Sequence, residues 1–131
     1  MLYTDHAMLT LSTPNLARLQ KFYQTLFGQA AMVELPNTYA EFQVGSFKFG
    51  IFQPKPENAD EFASPRSGAM SLCLEVDNVE RAIAVVQEAH SAIAATPPRP
   101  PSPITTASHG REAYAYDPDG NRLILHESIH Q

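Results

Sequence analysis

Apolar and polar residues alternate over residues 6–11, with Ala7, Leu9 and Leu11 on one side and His6, Met8 and Thr10 on the other. That period of two predicts a strand. Ser12-Thr-Pro-Asn15 interrupts it and offers Asn15 as a helix N-cap. Leu16, Leu19, Phe22, Tyr23 and Leu26 then recur at helical spacing, and Gly28 is a natural C-terminal stop. Strand-like runs over 39–44 and 47–53 flank Gly45-Ser46, a tight hairpin signal, and residues 32–35 suit one more short strand.

The same order returns. Residues 71–76 alternate, with Leu72, Leu74 and Val76 on one side. Asn78 opens a helix whose apolar positions are Val79, Ala82, Ile83, Val86 and Ile93. Two strands, 112–116 and 122–127, follow a proline-rich stretch and are joined by Asp117-Pro-Asp-Gly-Asn121. Residue identities support a repeat. Asn15, Arg18 and Gln24 match Asn78, Arg81 and Gln87 at a separation of 63, and Tyr39, Ala40 and Gly45 match Tyr114, Ala115 and Gly120 at a separation of 75. The pattern predicts an α+β fold of two β-α-β-β-β modules, at residues 1–53 and 69–131, joined by a linker at 54–68. Two modules of this size, each marginal alone, are expected to share one domain.

Composition narrows the function. A net charge of -5 with nine Lys+Arg argues against a nucleic-acid surface. No run of about 18 apolar residues predicts a membrane span. The opening MLYTDHAM has no basic segment of a signal peptide. A single cysteine, Cys73, leaves no intrachain disulfide, and a cytoplasmic setting is expected. Proline is the oddity: there are 11, four of them within 97–101. That stretch has PxxP spacing, but in one small domain it is expected to be a stiff connecting loop and not a peptide ligand.

The run over residues 6–28, with Phe22-Tyr23 and Leu26-Phe27-Gly28, and the run over 111–123, with Asp117-Pro-Asp-Gly-Asn121, resemble the vicinal oxygen chelate superfamily of glyoxalases, bleomycin-resistance proteins and extradiol dioxygenases. The resemblance covers nearly the whole chain. It implies a cupped mixed sheet with helices packed outside and a ligand inside. It also implies a homodimer. In metal-dependent members, His or Gln on the first strands and Glu on the last strands hold a divalent ion, which chelates neighbouring substrate oxygens. The matching positions here are His6, Phe49, Ser71 and Ile124, the last-strand pair being taken four residues beyond Gly45 and Gly120. Only His6 is a good ligand, so no metal and no other cofactor is expected. Glu127 lies one strand step away from Ile124 in phase and is expected on the opposite face.

The resemblance thus implies a binding protein for a small, largely apolar molecule, lined by His6, Met8, Phe49, Ser71, Cys73, Ile124 and His126. The alternative is a metal-dependent lyase, isomerase or dioxygenase using an atypical set around His6 and His126, with Glu75 and Cys73 in reach. Cys73 is expected to be a small packing residue in preference to a nucleophile. Asp117-Pro-Asp-Gly-Asn121 is not a calcium loop. Its glycine is fourth where the sixth position requires one, and Ser128 stands where a bidentate Glu is needed.

Overall fold

The computed structural model describes residues 1–63 and 70–129. They divide into two compact units, Met1–Ser64 and Pro65–Gln131. Unit one contains β1 (Leu9–Ser12), α1 (Leu16–Phe27), β2 (Val33–Leu35), β3 (Tyr39–Val44), β4 (Phe47–Phe52) and a short helix, α2 (Ala59–Phe62). Unit two contains β5 (Ser71–Glu75), α3 (Val79–Ala92), β6 (Thr105–Ala107), β7 (Gly110–Tyr116) and β8 (Arg122–Ser128). Each unit folds into a four-stranded mixed sheet, in the orders β1-β4-β3-β2 and β5-β8-β7-β6, with the first strand parallel to the last. The α+β class and the repeated β-α-β-β-β order are therefore present in both halves. No helix among the described residues is long and apolar enough to cross a membrane.

The repeat extends to the helix starts. Asn15 Oδ1 accepts from Arg18 N at 3.1 Å, and Asn78 Oδ1 accepts from Arg81 N at 2.8 Å. A second acceptor arrives from the end of each last strand. Gln53 Oε1 takes the Leu16 N–H at 3.1 Å and Glu127 Oε1 takes the Val79 N–H at 3.0 Å. Each helix start thus has two of its orphan donors satisfied.

Each sheet has one face under its helix. In unit one, Phe22, Tyr23, Ala40, Phe42, Phe49 and Ile51 are buried there. Tyr23 meets Phe49 edge-on at 5.3 Å, and Phe42 stacks on Phe49 at 5.5 Å. In unit two the corresponding core is Val79, Val86, Ala89, Ala113, Ala115, Leu123 and Leu125. His90, buried in the last turn of α3, hydrogen-bonds through Nε2 to the Tyr116 carbonyl at 2.8 Å and ties the helix to β7.

Strand pairing corrects the module alignment. Thr13 N donates to Phe52 O, and Val76 N donates to His126 O. Thr10 pairs with Gly50, and Cys73 pairs with Ile124. First strands therefore match at the separation of 63 set by the caps, which makes Met8, and not His6, the counterpart of Ser71. Last strands match at 74, which makes Gly50, and not Phe49, the counterpart of Ile124. The cause lies in the hairpins. Val44 pairs with Phe47 across two turn residues, whereas Tyr116 pairs with Arg122 across five. Buried Ala40 and Phe42 face Ile51 and Phe49, as Ala113 and Ala115 face Leu125 and Leu123, so the third strands match at 73. Counting from the turn glycines at 75 slips the last strand by one residue and exchanges its faces.

The proline-rich regions hold more structure than expected. Within the predicted linker, Pro56–Asn58 forms a 3-10 turn that leads into α2, while residues 64–68 lie outside the described residues. The stretch after the prolines forms β6, paired with β7. Asp117 is fully buried and organises the turn: Oδ1 accepts from Asp119 N and Asn121 N, and Oδ2 accepts from Asn121 Nδ2 at 2.8 Å. That is an Asx-type hairpin turn, as the glycine spacing implied.

On the helix side of unit two, Arg111 bridges Glu80 at 2.5 Å and Glu127 at 2.8 Å. Its hydrogen bonds hold the Glu80 carboxyl down to about 2 and also lower that of Glu127. Because these folded-state values lie below the unfolded ones, the pairing stabilises the fold above about pH 4 and is lost as pH falls towards about 2. Urea midpoints for wild type and Arg111→Ala at neutral pH and near pH 2 should converge at the acid end. A difference that persists unchanged there would refute this role.

Candidate functional site

The face of each sheet turned away from its helix carries the remaining candidates. In unit two, β5 contributes Ser71, Cys73 and Glu75, which pair with Arg122, Ile124 and His126 of β8. Glu112 and Tyr114 of β7 pair with His126 and Ile124. Ser71, Cys73, Ile124 and His126 are thus side by side on one face. His6 and Met8 lie in unit one, just before β1, with His6 exposed.

Phe49 is not on the open face. It is 2% exposed among the rings under α1, and Gly50 takes the open-face position that sequence matching gave to Phe49. A Cβ at Gly50 would meet the Tyr39 ring at 2.6 Å, so Tyr39 lies directly over this backbone. The Tyr39 hydroxyl donates to Glu41 Oε1 at 2.8 Å and lies 3.7 Å from the Met8 sulfur. Burial first, then the Glu41 carboxylate, pushes the Tyr39 hydroxyl up to about 12, so it remains a donor at neutral pH. Sequence patterning missed Tyr39 and Glu41; counting each first strand back from its helix cap would have matched Met8, already among the lining candidates, with Ser71.

In unit two the polar side chains form two groups. Arg122 Nε donates to Ser71 Oγ at 2.9 Å, and its guanidinium lies 4.7 Å above the Tyr114 ring. Further along, His126 Nδ1 lies 2.8 Å from Glu75 Oε2, and His126 Nε2 lies 3.2 Å from His109 Nδ1. Ser128 supplies its N–H, at 3.1 Å, and its hydroxyl to Glu75 Oε1. These Ser128 bonds, then His126, lower the Glu75 carboxyl. His109 was absent from the sequence reading because it sits in the β6–β7 turn, outside every periodic segment.

Cys73 is exposed, and desolvation followed by the carboxylates of Glu112 and Glu75 raises its thiol. A nucleophilic cysteine needs the opposite shift.

Sequence matching gives His6, Phe49, Ser71 and Ile124 as the superfamily's metal positions; strand register puts Gly50 in place of Phe49, the cap separation of 63 puts Met8 level with Ser71, and His6 is an exposed single imidazole before β1. Gly50 and Ile124 have no donor atom. Ser71 Oγ is engaged by Arg122, and a lone Met thioether is a soft ligand. Both His126 nitrogens are already in hydrogen bonds, and among the described residues no three His, Cys, Asp or Glu side chains are grouped to hold an ion. This donor set does not fit the superfamily's metal.

A family model for the Glyoxalase/Bleomycin resistance protein/Dioxygenase superfamily matches residues 4–125. The chain belongs to that superfamily. Solved structures agree on the fold. A glyoxalase-related enzyme from Fulvimarina pelagi superposes with TM-score 0.69 at 20% identity, covering 95% of this chain and 89% of that one. The fosfomycin resistance protein FosX from Mesorhizobium loti gives 0.62 at 18% identity, covering 98% and 95%. A bleomycin resistance determinant encoded on transposon Tn5 gives 0.60 at 20% identity, covering 97% and 100%. No curated protein sequence matches.

Proposed function

We propose that this superfamily member binds a small, largely apolar molecule on an open sheet face, without a metal at the superfamily's ligand positions. The observation that carries this reading is the strand register that puts Gly50 and Ile124 at the two last-strand positions. A glycine and an isoleucine supply backbone access and apolar area there, where carboxylates would be needed for an ion. On the open face of unit two, Ser71, Arg122 and His126 offer polar groups to orient a ligand beside Ile124; the open face of unit one, taken by itself, carries Met8 and Tyr39. The same reading takes the protein to be a cytoplasmic homodimer, which sedimentation at several concentrations tests.

The deciding experiment is metal and ligand analysis of one preparation made without chelator. Zn, Ni, Fe and Mn should each fall far below one per chain. An apolar ligand should raise the melting temperature, since a ligand at 100 times its Kd adds about 2.7 kcal/mol to folded-state stability. Near-stoichiometric metal that is lost in His126→Ala would overturn the proposal.

A further inference from the structure

The group Glu75, His126 and His109 makes a line of hydrogen bonds whose direction is determined at one end. Glu75 Oε1 is occupied by the Ser128 N–H and hydroxyl, which together with His126 keep this carboxyl ionised and able only to accept. Its Oε2 must therefore take the proton of His126 Nδ1 at 2.8 Å. A neutral imidazole has one N–H, so His126 Nε2 is a lone pair and can only accept from His109 Nδ1 at 3.2 Å. The two rings lie within 22° of parallel with centroids 5.3 Å apart, farther than the two nitrogens, so their edges meet and the lone pair faces the N–H. The remaining lone pair of the line is His109 Nε2, which has no hydrogen-bond partner among the described residues, on an exposed side chain.

The backbone holds this arrangement. His109 O accepts from Ile129 N at 3.3 Å, and Gly110 presses the turn against Glu127 O. The charged groups around the line are Glu75 on β5 and Glu112, the cross-strand partner of His126 on β7; Glu127 turns to the helix side with Arg111.

We infer that Glu75, His126 and His109 form a relay that presents His109 Nε2 as proton acceptor to a weakly acidic hydroxyl on the bound molecule. The inference rests on the proposed binding function and specifies its ligand as an apolar molecule with one ionisable O–H. The ligand O–H bond breaks and an N–H bond forms at His109 Nε2. The His109 Nδ1 proton can shift to His126 Nε2, which leaves an imidazolium beside the Glu75 carboxylate and a ligand anion beside His109. No other reactant is needed. His109 is the group that touches ligand; His126 and Glu75 are positioning residues.

Histidine side-chain nitrogen NMR of the ligand-free protein tests the relay first. Both His126 and His109 should carry their proton on Nδ1, and His126→Phe should release the His109 tautomer. An Nε2–H tautomer at His109 in the wild type would overturn the inference without touching the binding reading. The second arm uses 4-nitrophenol, whose anion is coloured, at about pH 6, where imidazole and probe both titrate. Wild type should bind it as phenolate, His109→Gln should lose the phenolate signal, and Glu75→Gln should reduce it by roughly tenfold, the scale of one hydrogen bond to a charged group. Binding of the neutral phenol, or no binding of the probe, would overturn the inference. A melting-temperature rise with nitrobenzene in that case would leave the binding function standing, and its absence as well would remove both.

Discussion

Phe49→Ala will destabilise unit one by about 3–5 kcal/mol, the range for emptying a well-packed aromatic site. The ring is 2% exposed and in contact with Tyr23, Phe27 and Phe42, with centroids at 5.3, 5.9 and 5.5 Å. The three neighbours belong to α1 and β3, which other contacts hold in place, so the cavity has little freedom to collapse. Ile124→Ala is the matched control. Ile124 is only partly buried, on the open face of unit two, and its loss should cost about 1 kcal/mol while weakening ligand binding. Urea unfolding and thermal shift on both variants separate the roles. If Phe49→Ala kept wild-type stability and lost ligand binding, the assignment of Phe49 to the core would be wrong.

Gly110→Ala will cost about 3 kcal/mol or more, by a different mechanism. Gly110 has φ +146°, a region that side chains with Cβ rarely enter, and an added Cβ would sit 2.1 Å from the Glu127 carbonyl oxygen. Both penalties are on backbone, which no rotamer change relieves. The turn would have to lift from β8, pulling Glu127 from its hydrogen bonds to Val79 N and Arg111 and separating His109 from His126. The urea midpoint of unit two should fall sharply and the His109 tautomer should be released. A variant with wild-type stability would mean that the close approach of Gly110 to β8 is not enforced.

The elements themselves were legible in the chain. Helical spacing of Leu16, Leu19, Phe22 and Tyr23 put those four residues in the core, and Asn15 and Asn78 cap as their positions suggested. Strands that alternate were found to within a few residues. The elements missed, β6 and α2, are three and four residues long, too short for periodicity to register beside prolines. Of the candidate side chains, Ser71, Cys73, Ile124 and His126 share one sheet face, because a strand's period of two survives an error in its ends. Phe49 went astray because its position was counted from a glycine in a turn of different length, and one residue is enough to exchange faces. His6 was paired with Ser71 in place of Met8 because the turn between the first strand and α1 was measured from the strand and not from the cap.

Periodicity, caps and turn residues, all local properties of the chain, determine that there are two modules of the same plan. Only tertiary structure decided which residues stand opposite one another on the open sheet faces and what surrounds them. Tyr39 covers Gly50 because antiparallel pairing of β3 with β4 places the ring over a residue without a side chain. His109 reaches His126, 17 positions away, because a two-residue turn and the close packing of Gly110 bring the β6–β7 corner onto β8. Such neighbours depend on register and backbone approach summed over several strands, and no local pattern in the sequence encodes that sum.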